Sequence, residues 1–308
     1  MSIPWTLAKA HMTKTEEKAG VGLDSAGLKR LRRRRPGVLA ANSAMLLFTA
    51  MTFATVVTNS RFEWRVVGSY LFEIRILKGI GVSVGMTAIT MALSLVFGTA
   101  VALMRTGRAR LLALASAGFI WVFRSIPMLV QLLFWYNLAA LFPTLSLGIP
   151  WGPRFVTFDS NALIGPLSAA VIGLTLHQTA YIAELIRSGL LSVPSGQWQA
   201  AAALGMTPTQ TFFRIVAPQA ARVIVPPMGN EVISLLKATS LVSVISLSDL
   251  LYSVQLIYAK NFQTVPLLIV AALWYMTITG FLGFLQHRLE RRLSRQHMPA
   301  AKTNGSSL

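Results

Sequence analysis

The sequence predicts an all-α fold, a polytopic membrane helical bundle of about six transmembrane helices with one helical hairpin that stays in the cytoplasm. Three observations predict it. Apolar runs near 20 residues long recur along the 308 residues, the length a helix needs to cross a hydrocarbon core. Charged residues make up only 12% of the chain, where a soluble domain carries about 25%. Lysines and arginines alternate with the apolar runs. Of the 28, twenty fall on one side of a six-span topology, six fall on the other, and Arg124 and Lys237 lie within spans. That bias puts both termini in the cytoplasm. It also accounts for the net charge of +18 without a nucleic-acid partner.

Residues 1–37 read as a cytoplasmic basic tail ending in the cluster Lys29–Arg35, which suits orientation of the chain or contact with anionic membrane lipid. The cluster is too far from the start, and the next apolar run too long, for a cleaved signal peptide. Span 1 is 38–58. Residues 59–78 are mixed and amphipathic and are expected outside. Span 2, 79–104, is rich in small residues (Gly79, Gly81, Ser83, Gly85, Ala88, Ala92, Ser94, Gly98, Ala100), which let membrane helices approach closely. It ends at a basic turn, Arg105 to Arg110. The segment Arg124-Ser125-Ile126-Pro127 interrupts the next apolar stretch. An interfacial helix to Val122 is therefore expected, then span 3 over 123–142 with Arg124 snorkelling at its inner end. Three prolines and two glycines make 143–160 an external loop. Span 4, 162–186, carries His177, Gln178, Tyr181 and Glu184. Span 5, 223–247, holds Pro226-Pro227, and its weakly apolar first half suits a kink or a broken helix lining a water-filled path. Residues 248–264 read as an external amphipathic segment. Span 6, 265–284, is followed by a cytoplasmic tail over 287–308.

Between spans 4 and 5 lies Ser195–Pro218, SGQWQAAAALGMTPTQTFFRIVAP, too polar to cross a bilayer. Gly205 is a helix stop, because glycine enters the left-handed region at little cost. Thr207 caps a second helix, Pro208 fills its first position, and Gln210 completes a capping box. The expected hairpin is a helix over 195–204, a sharp turn, a helix over 208–216 and a stop at Pro218. The chain has no cysteine, four histidines without ligand spacing, and none of the phosphate-binding, dinucleotide, zinc-protease or nucleophile-elbow motifs. No catalytic residue, metal site or bound cofactor is expected of it.

The hairpin also carries a spaced pattern: Gln199-Ala200-Ala201, three residues, Gly205, nine residues, Ile215, two residues, Pro218. This resembles the EAA loop of the membrane subunits of bacterial ATP-binding-cassette importers, with Gln199 in place of the glutamate. Further stretches resemble the polar amino-acid uptake branch (His/Glu/Gln/Arg/opine-type) of that family. They are Phe123–Gln131, Ala180–Gly189, Val193–Trp198, Pro218–Ala220 and Pro226–Leu241. The resemblance covers 79–295, with 79–286 as the permease domain and 1–58 as an addition to a five-span unit. It implies a permease subunit of the bacterial inner membrane that pairs with a second permease subunit, as a homodimer or heterodimer. Two ATP-binding subunits, which hold ATP-Mg, dock on the hairpins, and an extracytoplasmic amino-acid-binding protein delivers substrate. Gln199, Ala200, Ala201, Gly205, Phe212, Ile215 and Pro218 are then the coupling residues, with Phe213 and Val216 adding apolar surface for a groove on the partner.

Charges within spans are costly and face an interior. Glu184, Glu231 and Lys237 either pair to hold the bundle together or line a path for a zwitterionic solute, with Glu184 placed for a gate. Asn230, Ser234, Thr239 and Ser240 bond either to substrate or across helices. His177 reads as a satisfied core histidine. Two other functions fit a membrane bundle. A stand-alone secondary transporter or channel for a small polar solute would show an inverted repeat, and none is visible. A membrane enzyme would show a nucleophile–base pair or a metal cluster at one face, and the sequence has neither.

Overall fold

In a computed structural model, residues 36–149, 152 and 154–295 are described. Of the expected tails over 1–37 and 287–308, residues 1–35 and 296–308 lie outside the described residues, and 287–295 continue the last helix. The chain divides between Asn59 and Ser60 into two units. In the first, helix α1 (Pro36–Thr58) is apolar on every face, as a lipid-facing span must be. Its hydroxyls are satisfied internally: Thr49, Thr52, Thr55 and Thr58 each donate to the carbonyl four residues earlier.

The second unit is a helical bundle. A short helix α2 (Trp64–Tyr70) precedes α3 (Ile74–Thr106), a 33-residue helix that starts five residues earlier than expected. Its most extensive partner is α8 (Pro166–Leu191). Their contact is made at Ser94, Gly98 and Ala102, which lie on a buried stripe of α3. Only part of the small-residue set read from the sequence lies on it; Gly81, Ala88, Ala92 and Ala100 are exposed on the other side. At Gly98 a Cβ would stand 2.7 Å from Ile182 Cγ2, so glycine sets the closeness of the two helices. Ser94 Oγ donates to the Thr175 carbonyl across the same seam.

The expected interruption at Arg124–Pro127 separates two helices, α4 (Arg110–Ser125) and α5 (Met128–Tyr136), which meet at 101° as a broken span or a re-entrant loop. The first runs past the expected end at Val122, and the second stops at Tyr136, short of residue 142. Pro127 has no N–H to continue the ladder and holds Ile126 in an extended conformation (ψ 131°). Five helices are long and apolar enough to span, or six with this bent pair, in line with about six. After a single turn, α6 (Leu138–Leu141), residues expected as a loop form an antiparallel hairpin, β1 (Thr144–Gly148) with β2 (Arg154–Asp159). The alternating Phe155-Val156-Thr157-Phe158 is strand-forming, and the prolines lie outside the paired residues. One turn, α7 (Ser160–Leu163), leads into α8.

The cytoplasmic hairpin of the sequence reading becomes α9 (Ser195–Ala203) and α10 (Pro208–Thr211), but Pro218 does not end it. The chain continues through a π-helical turn (Phe212–Val216) into α11 (Ala217–Ala238), so the second arm and span 5 are one helical run. In the π turn the Ala217 N–H reaches back five residues to the Phe212 carbonyl, which widens the helix where the Pro218 ring would strike the carbonyl of residue 214. Helix α11 also stays helical through Pro226 and Pro227 and closes in a 3₁₀ turn (Thr239–Ile245). Helix α12 (Leu250–Asn261) packs on α3, and α13 (Thr264–Arg295) packs on α2, α11 and α12 to complete the bundle.

Candidate translocation site and coupling hairpin

Helix α8 is the most enclosed of the spans. Along it His177 stands four residues, and Gln178 three, before Tyr181, and Glu184 follows three later, so they share one side. Each meets a partner from another element or turn. His177 Nδ1 lies 3.0 Å from Gln131 Nε2 of α5. The Gln131 amide donates, at 2.8 Å each, to the carbonyls of Phe123 and Ile126, groups that the Pro127 break leaves without helical partners. With both Gln131 Nε2 protons given to those carbonyls, His177 packs against the amide that bridges the break, and this contact joins the bent pair α4–α5 to α8. Gln178 Nε2 donates to Glu231 Oε2 of α11 at 2.9 Å. Arg187 holds Glu184 in a two-pronged ion pair one turn on, at 2.9 and 2.6 Å.

Two cavities open along this face. The first, about 260 Å³, is lined by Met128, His177, Gln178, Tyr181, Glu231 and Ser234, with Leu235 and Ala238 as its apolar wall. Its polar groups converge from α8 and α11, and its size suits a small solute rather than a drug-sized ligand, whose sites run from about 300 Å³ upward. The second, about 430 Å³, is lined by Arg105, Trp121, Arg124, Tyr181, Glu184 and Arg187 among others. It carries three guanidinium groups against one carboxylate. Tyr181 belongs to both cavities.

The residues expected along a path therefore separate. Glu231 lines the smaller cavity and Glu184 the larger. Asn230 accepts a hydrogen bond from Gln286 Nε2 of α13 at 3.0 Å, beside Gly229, where a Cβ would stand 2.8 Å from the Gln286 side chain. Ser240 Oγ bonds to the Lys237 carbonyl of its own helix. Lys237 is exposed, lines neither cavity, and has no place among the ion pairs of the described residues. Glu231 is thus held by Gln178 and not by Lys237. Sequence reading noted Gln178 and Tyr181 on span 4 without assigning them a site. Their spacing with His177 and Glu184 was the available signal, but their meeting with Glu231 is a matter of helix packing.

The hairpin has the local geometry its residues dictate. Gly205 sits at φ +72° with open space around it. Its N–H bonds to the Ala202 carbonyl and the Met206 N–H to the Ala201 carbonyl, the paired bonds of a Schellman stop. Thr207 Oγ1 accepts from the Gln210 N–H while Gln210 Oε1 accepts from the Thr207 N–H, a complete capping box. Of the expected coupling residues, Gln199, Ala200, Gly205 and Pro218 are exposed and Ala201 is buried. Phe212 and Ile215 are half-buried, and Phe212 packs with Val193, Val216 and Ala220 of the chain's own bundle. The apolar surface that remains open includes Leu204 and Phe213, 80% and 67% exposed, and Trp198 at 40%.

A broken crossing beside a polar cavity, with a capped hairpin running straight into the helix that lines it, is the setting for comparison with known proteins. The family described as binding-protein-dependent transport system inner membrane component matches residues 94–295. The chain belongs to this family. It is a multi-pass inner-membrane permease component. Among its curated relatives, the arginine transport system permease protein ArgU of Corynebacterium glutamicum is 38% identical over 265 residues, covering 85% of this chain and 82% of that one. That share exceeds what the residues after Asn59 supply, so the likeness reaches into the N-terminal unit. The L-cystine transport system permease protein TcyB of Bacillus subtilis is 37% identical, covering 70% of this chain and 86% of that one. A solved structure described as an amino acid ABC transporter with histidines superposes with a TM-score of 0.62 at 30% identity, covering 72% and 95% of the two chains. An inward-facing structure of the MetNI methionine ABC transporter shares the fold, with a TM-score of 0.57 at 19% identity and coverage of 72% and 97%.

Proposed function

We propose that this permease moves a polar amino acid into the cell as the membrane subunit of an ATP-driven importer. ATP-Mg is held and hydrolysed by two partner subunits, an external binding protein delivers the substrate, and a second permease subunit completes the path. The observation that carries the substrate class is the cavity holding Glu231, in a chain 38% identical to an arginine permease. One carboxylate in a membrane-buried, half-apolar setting has a strong preference for a cation. The ammonium of an amino acid, or a basic side chain, supplies one, with Gln178 keeping the carboxylate turned toward α8.

The coupling element is the hairpin, placed in the cytoplasm by the charge bias. Its second arm is continuous with α11, the helix that carries Glu231, so a push on the hairpin acts directly on the cavity wall. Leu204 and Phe213 form the apolar contact for the ATPase, and Gln199, without charge, contributes polarity only. The test is uptake of radiolabelled amino acids into proteoliposomes holding this chain with its ATPase and binding protein. ATP-dependent uptake of arginine or another polar amino acid, lost on Glu231→Ala, supports the reading. Uptake that proceeds without the ATPase subunits sinks it.

A further inference from the structure

Tyr181 is the side chain common to the two cavities, and two neighbours lie against its ring. The Arg124 guanidinium carbon stands over the ring, 5.2 Å from its centroid, a cation–π arrangement reaching from α4 to α8. The His177 ring lies against it one turn back, with centroids 4.9 Å apart. His177 in turn packs against Gln131, the same amide that bonds the two carbonyls freed at the α4–α5 break. Gln131, His177, Tyr181 and Arg124 therefore form one connected row, anchored at both ends in the bent pair.

The two compartments differ in charge. On one side the wall offers the Glu231 carboxylate with Gln178 and Ser234; on the other it offers Arg105, Arg124 and Arg187 with Glu184. A solute carrying both an ammonium and a carboxylate finds an opposite partner in each. We infer that Tyr181 is the partition between two solute stations, and that Arg124 is the latch holding its ring across the passage. The larger cavity is then an inner station that takes a carboxylate, arranged so that movement of the bent pair α4–α5 withdraws the latch. This rests on the importer reading for its direction of traffic, but the partition is testable without transport.

The chain has no cysteine, so a single introduced thiol reports access directly. Ala238→Cys places one in the wall of the Glu231 cavity, and Ser125→Cys places one in the arginine cavity as a control. Each is labelled with a water-soluble maleimide added to inside-out vesicles. If the ring blocks the passage except in a minor open state of order 10% or less, its removal raises the labelling rate about tenfold or more. Tyr181→Ala with Ala238→Cys is expected to show that rise. Tyr181→Phe, which keeps the ring and the cation–π contact, is expected to match the parent, and Arg124→Gln to raise the rate toward that of Tyr181→Ala. The Ser125→Cys control is expected to label in every background, and an unchanged melting temperature in detergent establishes that the variants are folded. An unchanged rate at Ala238→Cys in the Tyr181→Ala background overturns the partition, and an unchanged rate in the Arg124→Gln background overturns the latch. Loss of ATP-driven uptake in the parent chain, with labelling as expected, would count against the importer reading and leave the partition standing.

Discussion

The turn at Gly205 and the turn at Ser246–Asp249 make the same move by opposite means. Each ends one helical stretch with a left-handed residue, Gly205 at φ +72° and Ser246 at φ +62°. Each starts the next helix with a side chain that accepts its first free N–H groups. Thr207 takes the Gln210 N–H, and Asp249 takes the N–H groups of Leu251 and Tyr252 at 3.2 and 2.8 Å. The first turn stands in open space; in the second Ser246 and Ser248 are exposed, while Asp249 is buried between helices. There Asp249 also accepts from Tyr275 of α13, Ser83 of α3 accepts from the Leu250 N–H, and Gly79 of α3 lies against Asp249 and Ser253. Glycine serves backbone conformation in the exposed turn and closeness of approach in the buried one.

Changes at the buried turn are expected to unfold the bundle, and changes at the exposed one to uncouple it. The largest effect is expected from Gly79→Ala. Its Cβ would stand 2.5 Å from Ser253 Oγ and 2.7 Å from the Asp249 carbonyl oxygen, an overpacking that costs about 3 kcal/mol. Thermal unfolding in detergent should show it, while Gly85→Ala, with open space around it, should unfold at the parent temperature.

The next effect is one of pH. Burial pushes the Asp249 carboxyl up to about 6 from 3.8, against the helix N–H groups that favour its charged form. Between those values the folded chain keeps a proton that the unfolded chain has released. The corresponding stability is complete below about pH 4 and is lost as pH rises through about 6, by about 2–3 kcal/mol. Melting temperatures measured across that window should fall with rising pH, and Asp249→Asn should flatten the slope. An equal slope in both proteins would mean that another group titrates.

Gly205→Ala comes third, with a left-handed strain of about 1 kcal/mol. Melting should move by only a few degrees, whereas ATP-driven uptake should fall several-fold, and Gly205→Asn should recover part of it because asparagine tolerates this conformation. If uptake survives intact, the hairpin is not the coupling element. Thr207→Ala is expected to be mildest, removing one side of the capping box for about 0.5–1 kcal/mol. A measured loss far above that would mean the cap supports more than its own short arm.

Much of the exposed turn was legible because its determinants lie within a dozen consecutive residues. The left-handed glycine, the proline at the first helical position and the capping box all act through local backbone chemistry. Less was legible where a partner element decides. Pro218 reads as a stop, and the π turn before it carries the helix through. The interruption at Arg124–Pro127 is legible, but the 101° angle between the helices it separates is not, nor is the Gln131 amide that bonds the carbonyls Pro127 frees. Residues 248–264 read as an external segment, yet Asp249 at their start is a buried junction of three helices.

What the sequence determined alone was the membrane class, the number and order of spans, the hairpin and its caps, and the spaced pattern that marks the permease family. These depend on apolar length, charge bias and short-range hydrogen bonding, which neighbours along the chain supply. Only the tertiary structure decided which polar residues meet. It paired Glu231 with Gln178 and not Lys237, turned Asn230 toward Gln286, and set Tyr181 between two cavities under Arg124. The physical reason is that a polar group inside a membrane must find its partner on another helix, and helix rotation and separation, set by contacts such as that at Gly98, select which one it finds.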